Sequence, residues 1–366
     1  MRVLFAGGGS GGHLYPALAI ARALVEQDSR VEPFFVGARR GIERTILPVS
    51  GFPFELLELH PLYRSRPWLN WRTVVGSARS WRRIAGLVES DRPRALVATG
   101  GYAAGVALSV ARWKGLPIVI QEQNSIPGLT VRLYARRATQ IHLGFPEAAG
   151  HLNAGPATRI FDSGNPIAPP VPAELRPDRE ASEVRWGFRQ SAAPIVLVFG
   201  GSQGAEGINR IVAKWLESGP GHVRVIWATG PGNFDRYSHL DSADVRVLPY
   251  IQRVADAYAA ADFAVSRAGA MATAELAAWG IPTVLVPLPT AAADHQRQNA
   301  RAIAASGAAV MIEQPALTPE LLAATVERIA LDSSLRSGMR DKNLERARPH
   351  AAQQIAADIL SMDCFK

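Results

Sequence analysis

The chain has one cysteine, Cys364, in 366 residues. A single cysteine cannot form a disulfide within the chain, so a disulfide framework is excluded and a reducing compartment is favoured. The sequence also lacks any stretch near the ~20 apolar residues that a membrane-spanning helix needs. Its first apolar run, residues 3–6, ends at a glycine loop and is too short for the core of a secretory signal. These absences predict a cytoplasmic protein.

Acidic residues are missing from one segment of a basic chain. The formal net charge is +8, and no Asp or Glu occurs between Glu58 and Glu89. The arginines of that window are Arg64, Arg66, Arg72, Arg79, Arg82 and Arg83. A basic surface suits nucleic acid, anionic lipid or a phosphorylated substrate. No nucleic-acid recognition module is visible, so we expect no nucleic-acid partner.

With 48% hydrophobic and 20% charged residues, the composition is that of a globular protein, and the length suggests two domains. Short β-branched or aromatic runs alternate with Ala-rich helical stretches, which predicts parallel sheets with helices on both faces. The predicted strands are 2–6, 32–36, 54–59, 95–98, 117–121, 140–143, 194–199, 223–228, 245–248, 262–266, 282–286 and 308–312. The predicted fold class is α/β, with two Rossmann-like, doubly wound domains facing across a cleft.

The two halves of the sequence begin alike. Each opens with an apolar strand that runs into a glycine-rich loop and then a helix, at residues 3–12 and 195–204. The run Gly164-Asn165-Pro166 and the prolines that follow mark a boundary. We therefore predict a first domain at 1–163 and a second at 164–344, with a C-terminal helix at about 345–366 packing back on the first.

The first glycine loop has the spacing G-x-G-x-x-G at Gly7, Gly9 and Gly12, which is typical of dinucleotide sites but weak by itself. The acid that would bind the ribose of NAD near the end of the second strand is missing, and Arg39 follows that strand instead. An NADP oxidoreductase and a plain strand-to-helix turn therefore stay open. His13 begins the next helix, where an imidazole can take a proton from a sugar hydroxyl or simply cap the turn.

The segment at residues 8–18, GGSGGHLYPAL, resembles the opening motif of the MurG family of bacterial peptidoglycan glycosyltransferases. Further motifs of that family follow in order over nearly the whole chain. They are Gly100-Gly101-Tyr102 with Gly105, Glu122-Gln123-Asn124 with Ile126-Pro127-Gly128, Gly200-Gly201-Ser202-Gln203-Gly204, Ser266-Arg267-Ala268-Gly269-Ala270 through Glu275, and Asp294-His295-Gln296 with Asn299-Ala300. The resemblance implies the GT-B fold. It also implies transfer of N-acetylglucosamine from its UDP-sugar to the 4-hydroxyl of the muramoyl-pentapeptide of undecaprenyl-diphosphate-linked lipid I, giving lipid II.

The same resemblance implies roles for individual residues. His13 and Glu275 are the expected catalytic residues, and Glu275 also accepts hydrogen bonds from the ribose hydroxyls. The expected donor-binding residues are Ser10, Gly11, Gly12, Asn124, Ser202, Gln203, Ile251, Arg267, Ala270, Met271, Glu275 and Gln296. His13, Tyr102 and Asn124 are expected to contact the acceptor.

Elementary chemistry supports the donor assignments. Residues 200–204 carry little side-chain bulk, so their N–H groups can close on a diphosphate at the positive end of the next helix. A carboxylate at Glu275 can accept from both hydroxyls of a ribose, although a solvated helix residue is the alternative. No Asp-x-Asp pair and no zinc-like His/Cys cluster occurs. We therefore expect no metal and no cofactor, with the leaving diphosphate stabilised by loop and helix dipoles.

The sequence departs from the family pattern at two positions. The family places a donor-binding arginine where Ala168 stands, and it favours Asn where Val131 stands. We assign no role to either residue, and Arg267 is the candidate replacement for the missing arginine.

The segment 68–88 predicts an amphipathic helix. One face collects Trp71, Val74, Val75, Ala78, Trp81, Ala85 and Val88, with Arg72, Arg79 and Arg83 along its edge. Tryptophan beside arginine favours a membrane-surface helix, while a core helix with a basic side is the alternative. We expect Val74 and Ala78 to pack inward, the tryptophans to lie nearer lipid, and Trp113 with Lys114 to extend the patch.

The expected partners are UDP-N-acetylglucosamine, lipid I and an anionic membrane surface, with other cell-wall synthesis proteins as candidates. The expected location is peripheral, at the cytoplasmic face of the bacterial cell membrane. A UDP-sugar 2-epimerase or glycolipid synthase of the same fold, an NADP oxidoreductase, and a non-catalytic sugar-nucleotide-binding subunit remain as alternatives.

Overall fold

The computed structural model describes residues 1–60, 70–175, 178–189 and 191–366. The chain forms two compact units, the first made of residues 1–168 and 350–366, the second of residues 169–349. The units therefore divide between Ala168 and Pro169, a few residues beyond the position expected from the sequence, and the C-terminal segment joins the first unit from His350 onward.

Among the described residues, the first unit contains seven parallel strands. They are β1 (Arg2–Gly7), β2 (Glu32–Ala38), β3 (Phe54–Leu57), β4 (Ala95–Gly100), β5 (Ile118–Glu122), β6 (Gln140–Leu143) and β7 (Arg159–Phe161). Their order in the sheet is β3-β2-β1-β4-β5-β6-β7, so the winding direction reverses between β1 and β4.

The second unit repeats this plan with six parallel strands in the described part of the chain. They are β8 (Ile195–Phe199), β9 (Arg224–Ala228), β10 (Val245–Leu248), β11 (Phe263–Ser266), β12 (Thr283–Leu285) and β13 (Ala309–Met311). The order is β10-β9-β8-β11-β12-β13, with the reversal between β8 and β11. In such sheets ligands bind beyond the carboxyl ends of the strands, next to the reversal.

Helices connect the strands. They are α1 (Gly11–Gln27), α2 (Glu43–Ile46), α3 (Asn70–Asp91), α4 (Gly101–Lys114), α5 (Leu129–Tyr134), α6 (Arg179–Arg185), α7 (Glu206–Glu217), α8 (Phe234–Tyr237), α9 (Val254–Ala260), α10 (Ala270–Ala278), α11 (His295–Ala305), α12 (Pro319–Leu331), α13 (Ser333–Arg346) and α14 (Ala351–Leu360). Helix α14 belongs to the first unit, where it packs against α1.

Each sheet is buried on both faces. Because side chains alternate along a strand, Val3 and Phe5 of β1 pack with α1 and α14, while Leu4 and Ala6 pack with α3 and α4. The side chains of β8 alternate in the same way between two hydrophobic clusters, one on each face of the second sheet. The predicted α/β class with two Rossmann-like, doubly wound sheets is confirmed.

Every predicted strand is present, with its ends within two residues of the expected positions. Strand β7 was not predicted. It lies at the edge of the first sheet, and both Arg159 and Ile160 are exposed, so it carries no apolar run that could mark it in the sequence.

Helix α3 buries only part of the predicted apolar face. Val74 is 67% exposed and Ala78 is also exposed, so the expectation that they pack inward is wrong. Ala85 and Val88 of the predicted face are buried, and the other buried residues of this helix are Thr73, Gly76, Ser80 and Ile84. A Cβ at Gly76 would overlap the carbonyl of Glu58, so small side chains are what let the helix lie against that backbone.

Candidate active site

The predicted site residues follow the carboxyl ends of strands in each sheet, most of them at or next to the two strands that flank the reversal. In the first unit, Ser10 to His13 follow β1, Tyr102 follows β4 and Asn124 follows β5. In the second unit, the residues are Ser202 and Gln203 after β8, Ile251 after β10, Arg267 to Glu275 after β11, and Gln296 after β12. Within each unit the parallel topology therefore brings these residues to one edge of the sheet.

His13 lies in the first turn of α1, half-buried. Its Nδ1 is 3.1 Å from Oγ of Ser10, and its backbone carbonyl accepts a 2.7 Å hydrogen bond from the Thr99 hydroxyl. A Cβ at Gly100 would lie 3.1 Å from Cδ2 of the imidazole, so the ring lies against the loop after β4. The Ser10 contact and the loop after β4 orient the ring, while the Thr99 bond holds the backbone at His13, and a positioned base needs such an arrangement.

Tyr102 borders the same loop. A Cβ at Gly9 would lie 2.7 Å from Cε1 of Tyr102, and one at Gly101 would overlap the carbonyl of Gly8. The glycines that follow β1 and β4 therefore allow the two loops to pack closely against each other. The structure thus brings His13 and Tyr102 to one place, and contact of either with the acceptor stays a prediction.

Glu43, which the sequence reasoning missed, supports the first glycine loop from beneath. Its side chain is fully buried, and Oε1 accepts hydrogen bonds from the N–H groups of Gly9 at 3.0 Å and Ala38 at 3.1 Å. A Cβ at Gly8, Gly37 or Gly41 would collide with it. Spacing gave no signal for this residue, because its partners are backbone N–H groups, and Gly9 lies 34 residues away in the chain.

Glu122 organises the loop that carries Asn124. Its Oε1 accepts from the Asn124 backbone N–H at 2.9 Å and from the Asn124 side-chain amide at 3.2 Å, and its Oε2 accepts from the Gly128 N–H at 2.9 Å. Burial raises the pKa of Glu122, and these hydrogen bonds oppose that shift. The carboxylate therefore sets the conformation of the loop that carries Asn124, and contact of Asn124 with a ligand stays a prediction.

The glycine loop of the second unit lies between β8 and α7. Gly201 and Gly204 have φ values of +93° and +75°, and the Gly204 N–H donates to the Gly201 carbonyl at 2.9 Å. Ser202 and Gln203 are exposed at the tip of the turn. Helix α7 follows at Glu206, so the loop has the geometry of an anion-binding turn.

Glu275 lies half-buried on α10, and the Tyr258 hydroxyl donates to its Oε2 at 2.8 Å. Burial raises the pKa of Glu275, while the hydrogen bond from Tyr258 lowers it. An oriented carboxylate of this kind suits a ribose diol.

Arg267 and Gln296 both contact the loop that follows β12. The Arg267 guanidinium is buried and donates to the carbonyls of Val286 at 3.1 Å and Pro287 at 3.2 Å, and burial lowers its pKa. Gln296 accepts from the Leu288 N–H at 3.0 Å through Oε1. Both side chains thus support this loop, and donor contact by either one stays a prediction.

The turn before Gln296 is strained. Ala293 and Asp294 have φ values of +49° and +58°, in the left-handed region that non-glycine residues seldom adopt. Such strain clusters at ligand sites, where the surrounding structure compensates for it.

The remaining predicted residues differ in exposure. Ile251 is half-buried, and Ala270 and Met271 form the first turn of α10. Ala168 is exposed at the end of the first unit, whereas Val131 is 2% exposed in its core. A valine therefore replaces the family asparagine at a position that packs against apolar side chains.

The candidate membrane surface combines α3 with the end of α4. Trp71 is 60% and Trp113 62% exposed, and the rings of Trp81 and Trp113 lie 4.9 Å apart. Lys114 lies over the Trp113 ring at 4.1 Å. The described helices include none long and apolar enough to cross a bilayer. Trp81, Trp113 and Lys114 therefore form one cluster, and Trp71 is a further exposed aromatic side chain of α3.

The arginines of this surface have acidic neighbours. Arg79 pairs with Glu58 at 3.2 Å and Arg83 pairs with Glu55 at 2.7 Å, both in exposed positions, while the side chain of Arg72 lies outside what the structure describes. The acid-free window of the sequence is therefore not an acid-free surface.

The described residues include no cluster of three or more His, Cys, Asp or Glu that could hold a metal ion. Two Rossmann-like units with glycine loops at their strand ends and an oriented acid in the second define the class of nucleotide-sugar glycosyltransferases with the GT-B fold. Comparison with known proteins agrees with this class. Residues 3–143 match the N-terminal domain of glycosyltransferase family 28, and residues 195–355 match its C-terminal domain.

Curated relatives cover almost the entire chain. The UDP-N-acetylglucosamine–N-acetylmuramyl-(pentapeptide) pyrophosphoryl-undecaprenol N-acetylglucosamine transferase of Chlorobaculum parvum is 39% identical over 99% of both chains. The enzyme of the same name from Symbiobacterium thermophilum is 37% identical, over 99% of this chain and 96% of its own. The chain belongs to glycosyltransferase family 28.

Solved structures agree with this assignment. The crystal structure of Acinetobacter baumannii MurG matches with a TM-score of 0.78 and 27% identity over 99% of both chains. The S. aureus MnaA–UDP structure matches with a TM-score of 0.69 and 11% identity, over 98% of this chain and 96% of its own, which is a likeness of fold alone.

Proposed function

We propose that this enzyme transfers N-acetylglucosamine from UDP-N-acetylglucosamine to the 4-hydroxyl of the muramoyl-pentapeptide of lipid I, giving lipid II. The observation that carries the proposal is the 39% identity to an enzyme of that name over 99% of both chains. The first unit then takes the acceptor and the second takes the UDP-sugar.

In the proposed reaction His13 removes the proton of the acceptor hydroxyl, and the oxygen attacks the anomeric carbon as its bond to the UDP oxygen breaks. Configuration at that carbon inverts, and UDP leaves with the electron pair. His13 is supported in this role by its contacts with Ser10 and Thr99. A positioned base supplies typically about 10²–10⁴-fold, so orientation and diphosphate stabilisation must supply the rest.

The donor residues act on the leaving group and the nucleoside. The N–H groups of residues 200–204 and the start of α7 stabilise the developing charge of the diphosphate. Glu275 accepts from the ribose hydroxyls, Ile251 meets the uracil through its backbone, and Gln296 with Asn124 contacts the sugar. Ser10, Gly11, Gly12, Ser202, Gln203, Arg267, Ala270 and Met271 complete the proposed donor set.

The proposed location is peripheral, at the cytoplasmic face of the bacterial cell membrane, where a lipid-linked acceptor resides. The exposed tryptophans of α3 and α4 and their basic neighbours support an anionic membrane as partner. Other cell-wall synthesis proteins are candidate partners on the same membrane.

One assay tests the proposal. The purified chain is incubated with radiolabelled UDP-N-acetylglucosamine and a short-chain lipid I analogue, and label in the lipid product is measured with and without excess chelator. We expect transfer by the chain alone, largely unaffected by the chelator. Appearance of an epimerised UDP-sugar without acceptor would favour a 2-epimerase. Stabilisation of the folded protein by NADP but not by UDP would favour an oxidoreductase.

A further inference from the structure

A tyrosine hydroxyl is bound to the acid that we assign to the ribose. Tyr258 lies on α9, is 4% exposed, and donates to Oε2 of Glu275 at 2.8 Å. Its ring lies 5.9 Å from the ring of Trp279 and 6.3 Å from that of Phe199, which end α10 and β8 respectively. The hydroxyl is therefore held by a rigid aromatic frame that joins α9 to the two elements beside the site.

The chemistry of Tyr258 and Glu275 shows which of the two groups donates this hydrogen bond. Burial raises the pKa of Tyr258 well above its usual range, so the phenol stays protonated and is always the donor. An ionised carboxylate only accepts, and it has two oxygens. The bond from Tyr258 to Oε2 restricts rotation of the Glu275 carboxylate and leaves Oε1 to accept from a ligand.

We propose that Tyr258 is a positioning residue for donor binding, which orients the Glu275 carboxylate for the ribose of UDP. This inference rests on the proposed function, because that function assigns the ribose to Glu275. A side chain ordered before the ligand arrives does not lose its rotamer freedom on binding, so the bond raises UDP affinity without touching UDP.

The protonation of Glu275 gives a separate readout. Burial raises its pKa and the Tyr258 bond lowers it, and these are the causes that act on this group. Helix α13 packs against α10 and contributes Arg336 and Arg340, which line a cavity together with Asp262 and Tyr258. On α9 itself, Asp256 pairs with Arg185 and Arg253.

Removing the phenol oxygen should therefore move the pH dependence of UDP binding. In Tyr258→Phe the bond that lowers the Glu275 pKa is absent, so the carboxyl takes up its proton at a higher pH. A protonated carboxyl has lost acceptor capacity for the ribose. The loss of UDP affinity on acidification should then begin at a higher pH in the variant than in the native protein.

The test measures the UDP dissociation constant by titration calorimetry from pH 5 to pH 8. We expect Tyr258→Phe to weaken UDP about tenfold at neutral pH, with a wider gap at acidic pH. Thr325→Val is the control, since it deletes another hydroxyl of the second unit, bonded to the Leu321 carbonyl at 2.7 Å, and it should bind UDP like the native protein. In a Glu275→Ala background, Tyr258→Phe should have no further effect.

Equal UDP affinity and equal pH dependence in native and Tyr258→Phe proteins would overturn the inference. So would the same weakening in the Glu275→Ala background, because Tyr258 would then act through another group. If Tyr258→Phe fails to fold, Tyr258→Met fills the space without a donor and takes its place. A native protein that does not bind UDP at all would overturn the proposed function itself, which is a distinct result seen before any variant is compared.

Discussion

Gly201 and Gly204 lie in one loop and both have positive φ, at +93° and +75°, but only one of them is crowded. A Cβ at Gly201 would meet nothing within 4 Å. A Cβ at Gly204 would lie 2.6 Å from the carbonyl carbon of Thr229 and 2.9 Å from Cα of Gly230. These are backbone atoms of the loop after β9, so they cannot rotate away as the end of a side chain could.

The two alanine substitutions should therefore differ in cost. Gly201→Ala carries only the strain of the left-handed region, which is about 1 kcal/mol. Gly204→Ala carries the same strain plus overpacking against the backbone, together about 3 kcal/mol. At roughly 2–4 °C per kcal/mol, calorimetry should show a Tm loss of about 3 °C for the first variant and about 10 °C for the second.

UDP binding should also differ between the Gly201→Ala and Gly204→Ala variants. In Gly204→Ala the loop must shift away from residue 229, so UDP should bind at least tenfold more weakly in a titration of the folded protein. Gly201→Ala serves as the matched control for stability, since it makes the same chemical change in the same loop. Equal Tm losses for the two variants would refute the reasoning, because they would show that the loop can move at no cost.

Three further predictions concern the first unit. His13→Ala should lower kcat by about 10²-fold or more in the lipid I assay while UDP affinity stays normal, because the base belongs to the acceptor side. Glu43→Ala should lower the free energy of unfolding by about 2–4 kcal/mol, since the buried N–H group of Ala38 and the part-buried N–H group of Gly9 lose their acceptor, and it should lower kcat as well. Glu43→Gln, which keeps an acceptor for Gly9, should lose less. Replacing Arg79 and Arg83 by Gln should weaken sedimentation with anionic vesicles only about tenfold, because neighbouring glutamates already offset part of their charge.

Controls distinguish these outcomes from unfolding. Near-normal turnover of His13→Ala would remove this residue from the mechanism, and unchanged stability of Glu43→Ala would show that water replaces the carboxylate. If Arg79 and Arg83 variants sediment like the native protein in low salt, the patch does not act through charge. Activity on a short-lipid acceptor should survive these arginine changes.

The amino-acid sequence by itself determined the sheet plan and the strand ends that carry the site. Apolar runs such as 195–199 are buried on both sides, so they stand out, and glycines at the following turns mark where backbone approaches a ligand. The order of the motifs identified the family, because each motif is local in the chain. Local signals of this kind can be read from the sequence without knowledge of any contact between distant segments.

Only the tertiary structure decided which distant groups support the site. Glu43 meets Gly9, and Tyr258 meets Glu275, through contacts that no local pattern encodes. The same holds for α3, where hydrophobic periodicity predicted the wrong inward face for Val74, because the partner surface at Glu58 admits only small side chains. A helix buries whatever its partner surface has room for, and that surface is made by residues far away in the chain.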